Sequence, residues 1–245
     1  MITRPRTRAA ALAQRVEAHG GRALVYPAIE IADPSDPDGA RRAVDTLPRS
    51  DLAIFVSPTA VTRGMRLVRE CGGWPARVPV AAVGGGSRRE LEREGHAQVL
   101  VPGLAADSEA LLALPQLANV AGKRILIFRG EGGRELLGDT LVARGAGVVY
   151  AQCYRRTRAH TDFGPLVASW ESVDAVTAFS LETLENLFLL LGEEGAARLR
   201  QTPVFVPHRR IADEAAKHGA RRVEVAGPGD EEMVSALVAY FRNAK

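Results

Sequence analysis

The chain has 245 residues, 46% hydrophobic and 25% charged, with 5% aromatic residues, 24 Gly and 14 Pro, a balance that excludes disordered, collagen-like and disulfide-stapled classes. That length allows one large domain or two of ordinary size. Formal net charge is only +3, and all of the 32 basic residues except Lys123, Lys217 and Lys245 are arginines scattered along the chain, so no block of charge marks a nucleic-acid surface.

Short apolar runs alternate with amphipathic segments throughout, the pattern of βα units rather than hairpins. Strands are predicted at residues 23–31, 52–57, 78–83, 98–101, 124–128, 148–154, 175–180, 203–206 and 222–226. Helices are predicted at 7–19, 60–71, 87–94, 108–114, 134–144, 181–191, 210–218 and 231–241. Gly20, Gly72, Gly95, Gly145, Gly192 and Gly219 fall where helix C-caps belong. Ala32-Asp-Pro-Ser-Asp-Pro-Asp-Gly39 reads as a turn-rich connector, and the basic Arg155-Arg-Thr-Arg158 as a second boundary. Met1 to Arg8 has no apolar signal region, and no apolar run approaches the roughly 20 residues of a membrane span, so a cytoplasmic protein is expected.

The two halves look like copies. Asp51 to Ser57 aligns with Asp174 to Ser180 at an offset of 123, Pro79 to Gly95 with Pro203 to Gly219 at 124, and Ile2-Thr-Arg, helix and Gly20 with Ile127-Phe-Arg, helix and Gly145 at 125. Near-constant offsets over three segments point to duplication.

Ligands of open parallel sheets gather at the carboxyl ends of strands. The turns of interest are Thr3-Arg-Pro5, Ser57-Pro-Thr59, Gly84-Gly-Gly-Ser87, Gly130-Glu-Gly-Gly133, Pro207-His-Arg-Arg210 and Ser180. The glycine turns lack the dinucleotide fingerprint, since Arg89 and Glu135 stand at its sixth position, and neither carries a phosphate loop's Gly-Lys-Ser/Thr. They read either as backbone amides open to an anion or as simple tight turns. Ser57, Ser87 and Ser180 read as hydroxyl donors or as N-caps. His19, His96 and His218 sit beside helix-ending glycines, and only His208 lies in a strand-end turn. Cys71 and Cys153 lack CxxC spacing and a neighbouring His, so zinc and disulfide chemistry find no support and both thiols are expected to be inert. With no triad, carboxylate pair or metal cluster in view, an enzyme here would work by positioning, water exclusion and weak acid assistance.

In Ile2-Thr-Arg-Pro5, Phe55-Val-Ser-Pro-Thr-Ala-Val61, Ile127-Phe-Arg-Gly-Glu-Gly-Gly-Arg-Glu135, Tyr154-Arg-Arg156 and Arg210-Ile-Ala212, the chain resembles uroporphyrinogen-III synthases. The resemblance spans nearly the whole sequence in the family's order. It implies two parallel-sheet α/β lobes of flavodoxin-like type with a cleft between them: residues 1–32 with 160–245 in one, 39–153 in the other, and 33–38 and 154–159 as connecting strands. The implied reaction cyclises hydroxymethylbilane, a linear tetrapyrrole polycarboxylate, to uroporphyrinogen III in haem biosynthesis. Water is lost, and a spiro intermediate inverts the last ring. No cofactor or metal is implied, and neither nucleic acid nor membrane as partner. The expected state is a monomer receiving its bilane by transient handover from the preceding pathway enzyme.

Carried over by residue, Tyr154 becomes the acid that assists hydroxide departure. Substrate contacts fall to Thr3, Arg4, Pro5, Ser57, Pro58, Gly84, Ser87, Arg129, Gly130, Gly132, Gly133, Ser180, His208 and Arg209, with Arg134 and Arg155 also beside turns that could meet a polycarboxylate. His208 departs from the Ser or Thr of many relatives, Leu181-Glu182 from their small polar residues, and the first strand is short. The other reading the residues allow is a non-catalytic bilobed sensor of anions or tetrapyrroles.

Overall fold

The computed structural model describes residues 1–103 and 107–243. Its elements in chain order are α1 (Arg6–Ala18), β1 (Ile29–Ala32), α2 (Pro37–Val44), β2 (Leu52–Phe55), α3 (Pro58–Glu70), β3 (Val80–Ala82), α4 (Gly85–Arg93), β4 (Val99–Leu100), α5 (Ser108–Leu112), α6 (Pro115–Ala118), β5 (Arg124–Gly130), α7 (Leu136–Ala143), β6 (Gly147–Arg158), α8 (Gly164–Ala168), β7 (Val176–Thr177), α9 (Leu181–Leu199), β8 (Val204–Val206), α10 (Arg209–Lys217), β9 (Val223–Val225) and α11 (Asp230–Asn243). The chain divides into two compact units, Met1–Ile31 with Thr157–Lys245, and Ala32–Arg156.

The second unit is built on β6-β5-β2-β3-β4, paired parallel throughout. Its core joins Ile54, Ile125 and Ile127 to Leu111, Leu117 and Leu141 from the helices. On the sheet's other side Phe55 and Phe128 stack at 4.4 Å, and Gly64 of α3 lies where any Cβ would run into both rings. The first unit carries parallel β7-β8-β9, extended by isolated parallel bridges from Ile2 to Thr177 and to Val25. Ile2, Ala9 and Leu12 pack there with Phe205, Met233 and Val234, so the core needs both segments of the chain.

The repeat read from the sequence is a repeat of pairing register. Ile54 pairs with Ile127 as Thr177 does with Ile2, and Ile127 with Tyr150 as Ile2 does with Val25. Ala53 pairs with Val80 as Val176 does with Val204, and Val80 with Val99 as Val204 does with Val223. These partners stand at the same offsets of 123 to 125. Numbered from the start of the repeat, both sheets have strand order 2-1-3-4-5, the flavodoxin-like doubly wound arrangement. The switch point between strands 1 and 3 falls at β5 and β2 in one unit, and at Ile2 and β7 in the other.

Residues 33–38, expected to be a connecting strand, are not one. Asp36 caps α2, its carboxylate accepting from Gly39 N at 2.8 Å, and Pro37 takes the first helical position, a helix start written in residues that also write turns. Ala40, Ala43 and Val44 bury the helix's inner face. The short α6 and α8 also arise where no helix is predicted. At Gly192 (φ 63°) the helical path breaks, where a C-cap is predicted, but about two further turns follow it to Leu199.

Candidate active site

At the switch point of the second unit β2 ends at Phe55, and Ser57 turns into α3 in extended conformation, its Oγ accepting from Ala60 N at 3.0 Å. Pro58 takes the first helical position, and its ring leaves little room for a Cβ at Gly86. Gly84 caps α4. The predicted Gly84-to-Ser87 turn is therefore already helix from Gly85 on, and Ser87 is buried in the first turn instead of capping.

Tyr154 arrives from β6 through a change of register. Arg129 pairs with Gln152 but Gly130 pairs with Tyr154, so Cys153 is one residue too many on β6. Such a bulge re-aims the side chain that follows it. The Tyr154 ring lies over Gly130, where a Cβ would meet it at 2.7 Å, and its hydroxyl lies 3.2 Å from Ser57 Oγ. The residue is buried, and its carbonyl accepts from Glu131 N at 2.8 Å. Cys153 itself points inward, its thiol within reach of the Arg129 and Ala60 carbonyls, and burial pushes that thiol up to about 12.

Arg129 is buried and its guanidinium is occupied. It donates to Glu135 Oε2 at 3.0 Å, to the Gly132 carbonyl and to Gly130 O at 3.3 Å, with its Cζ 4.9 Å from the Tyr150 ring centre. These bonds tie the loop 130–135 to the cation at two carbonyls and one carboxylate. In return the guanidinium holds the exposed Glu135 carboxyl below its ordinary range, while burial, followed by Glu135, raises Tyr150. Gly132 and Gly133 are exposed at positive φ. The loop is not a helix start, since α7 begins only at Leu136, and the Glu131 carboxylate accepts from Ser35 N and Oγ. Of the other arginines, Arg134 pairs with Glu109 at 2.8 Å and Arg155 Nε donates to Asp33 O at 3.2 Å.

In the first unit, Thr3 is fully buried and donates to Thr177 O at 2.5 Å. Arg4 stacks 3.3 Å over the Phe179 ring and pairs with Asp230. Burial draws its guanidinium below the usual range, with Asp230 opposing. Pro5 caps α1. Ser180 caps α9 through Thr183 N at 3.1 Å. His208 occupies the exposed N-cap of α10 without a side-chain capping bond, and Arg209 turns to Asp213 at 3.1 Å.

The structure thus gathers Ser57, Gly130 and Tyr154 into one hydroxyl-bearing group at a switch point, with Pro58 and the glycines of α4 adjoining. Thr3, Arg4 and Ser180 line the equivalent strand ends of the other unit. Sequence reasoning missed Glu135 and Tyr150, whose only signal is a cation needing partners at Arg129. A cavity of about 660 Å3 lies at the opposite, amino ends of the first unit's strands, lined by Ile2, Leu24, Ala175 and Leu237 among others, and none of the predicted site residues lines it. Among the described residues no cluster of three or more His, Cys, Asp or Glu could hold a metal ion, and no helix is long and apolar enough to cross a membrane.

A family model described as uroporphyrinogen-III synthase HemD matches residues 10–235. The uroporphyrinogen-III synthase of Salmonella typhimurium strain LT2 is 34% identical over 96% of this chain and 97% of its own, and that of Escherichia coli K12 is 33% identical over the same shares. Among solved structures, a mutant uroporphyrinogen III synthase of the extremely thermophilic bacterium Thermus thermophilus aligns with a TM-score of 0.61 at 20% identity, covering 99% of this chain and 97% of that one. The corresponding Helicobacter pylori 26695 structure aligns at 0.57 and 14% identity, over 91% and 96%. At such identities the solved structures bear on the fold alone.

Proposed function

The chain belongs to the uroporphyrinogen-III synthase family, and from that premise we propose that it closes hydroxymethylbilane to uroporphyrinogen III, with Tyr154 as the acid that releases the terminal hydroxyl. One observation carries the assignment of the acid: the Tyr154 hydroxyl is held against Ser57 at a sheet switch point, over a glycine that leaves the ring its place.

The carbon–oxygen bond breaks with its electron pair going to oxygen, the phenol's proton completes a water molecule, and the pyrrole nitrogen's lone pair supports the azafulvenium that remains. Attack by the last ring through its substituted carbon gives the spiro intermediate. Fragmentation and reclosure through the unsubstituted carbon then release a proton, which restores the phenol. The net change is loss of one water. Spontaneous closure gives the uninverted isomer, so the protein's work is to hold the ends and keep water from the cation.

Side-chain carboxylates of the bilane would meet the amides at the start of α4, the exposed Gly132 and Gly133, and the strand ends at Ser180, His208 and Arg209. Arg4 and Arg129 serve the substrate through the loops and ring they hold in place, since their guanidinium groups already carry partners. The reading takes the protein as a cytoplasmic monomer receiving its bilane by handover, which sedimentation with and without the preceding enzyme tests.

The deciding assay supplies freshly made hydroxymethylbilane, oxidises the products and separates the isomers by chromatography. Isomer III above the spontaneous background is expected, and Tyr154→Phe should slow its formation at least tenfold with the fold intact. Isomer I alone, at the spontaneous rate, overturns the function; unchanged turnover in Tyr154→Phe removes the acid.

A further inference from the structure

Two serines hold equivalent places in the repeat and do the same structural job. Ser57 accepts from Ala60 N at 3.0 Å at the start of α3, and Ser180 accepts from Thr183 N at 3.1 Å at the start of α9. Their backbones match as well, at φ −159°, ψ 160° and φ −152°, ψ 161°. The hydroxyls differ in what else they meet. Ser180 finds Thr183 Oγ1 at 2.8 Å, within its own helical turn, whereas Ser57 finds the Tyr154 hydroxyl at 3.2 Å, 97 residues away. The repeat places Ile29 opposite Tyr154, so the first unit has no phenol at the corresponding position.

A serine hydroxyl has one proton and two acceptor lone pairs. At Ser57 one lone pair takes a helix N-terminal amide, which polarises the O–H and makes it a better donor. We infer that Ser57 is a positioning residue that acts through Tyr154. Its hydroxyl donates to the phenol oxygen, which leaves the phenol's own proton directed at the substrate's departing hydroxyl and supplies a donor to the phenolate left after transfer. Ser57 keeps its proton throughout, so the balance of the step is that of the Tyr154 transfer, and the positive end of α3 lies behind the developing charge. The inference rests on the reading of Tyr154 as the acid and adds to it the group that aims that acid.

The test measures kcat and KM for isomer III in the wild type, Ser57→Ala, Ser57→Gly, Ser57→Thr and Tyr154→Phe, and in the doubles that join Tyr154→Phe to Ser57→Ala or Ser57→Gly, with a thermal melt of each. Ser57→Gly keeps a residue tolerated at an N-cap and so separates capping from donation. The expected result is a kcat about tenfold lower in Ser57→Ala and Ser57→Gly with KM within twofold, recovery to within threefold in Ser57→Thr, and less than twofold further loss in either double beyond Tyr154→Phe alone. Equal losses in both backgrounds, a change in KM alone, or full activity in Ser57→Gly overturns the inference and leaves Ser57 a cap or a substrate contact. If the wild type makes no isomer III, the enzymatic reading fails first and this one with it. The two failures are told apart by the wild-type product alone.

Discussion

What a side chain can offer a ligand is what remains after the fold has used it. Arg129 has five donors in a fixed fork, and each of its three nitrogens donates within the loop, to two carbonyls and Glu135, so an arginine that reads as a carboxylate binder becomes the pin of the loop that a carboxylate would meet. Tyr154, itself buried, turns its hydroxyl to Ser57 Oγ at the switch point, while Cys153, the extra residue of the bulge, turns its thiol to the Arg129 and Ala60 carbonyls. The cysteine reports its own burial through pH. Its thiol titrates at about 12 when folded against an ordinary value of 9.0, so the native state keeps a proton that the unfolded chain releases. The stabilisation is complete below about pH 9 and falls as pH rises towards 12. By pH 10 the loss is about 1.4 kcal/mol. Urea midpoints at pH 8 and pH 10 should therefore fall more in the wild type than in Cys153→Ala; parallel shifts would place the thiol in contact with solvent.

Among the elements, the helices that carry strand-end residues are legible because their caps are local. Ser57-Pro58 and Ser180 announce α3 and α9, and glycine closes both copies of the repeat's first helix, Gly20 after α1 at φ 82° and Gly145 after α7 at φ 85°. These two glycines give a graded test. A Cβ at Gly20 meets nothing, whereas one at Gly145 meets Ala121 at 3.2 Å. Gly20→Ala should cost about 1 kcal/mol from the left-handed backbone alone, and Gly145→Ala measurably more by urea unfolding; equal costs would show that Ala121 gives way. What was not legible is α2, since Asp-Pro and Asp-Gly write a turn and a helix start in the same letters. The bulge in β6 was equally hidden, because alternation along a strand carries no mark of one extra residue opposite a loop.

For the molecule as a whole, the decisive fact is that a continuous stretch, Ala32–Arg156, forms one unit while the other is assembled from the two ends of the chain. The isolated fragment 32–156 should fold with a cooperative melt, having its five parallel strands and its own core, whereas 157–245 lacks Ile2, Ala9 and Leu12 and should not. Circular dichroism on the two fragments checks this, and a cooperative melt of 157–245 would mean that the N-terminal segment is dispensable. The sequence by itself determined the α/β class, most strands and helices, the duplication and even its pairing offsets, because periodicity, caps and repeats are properties of neighbouring residues. Only the tertiary structure decided which turn residues keep a free polar group. That choice is made by contacts between residues about a hundred positions apart, such as Ser57 with Tyr154, and by a one-residue change of register that sets a phenol over Gly130 in one copy of the repeat, while the other copy has Ile29.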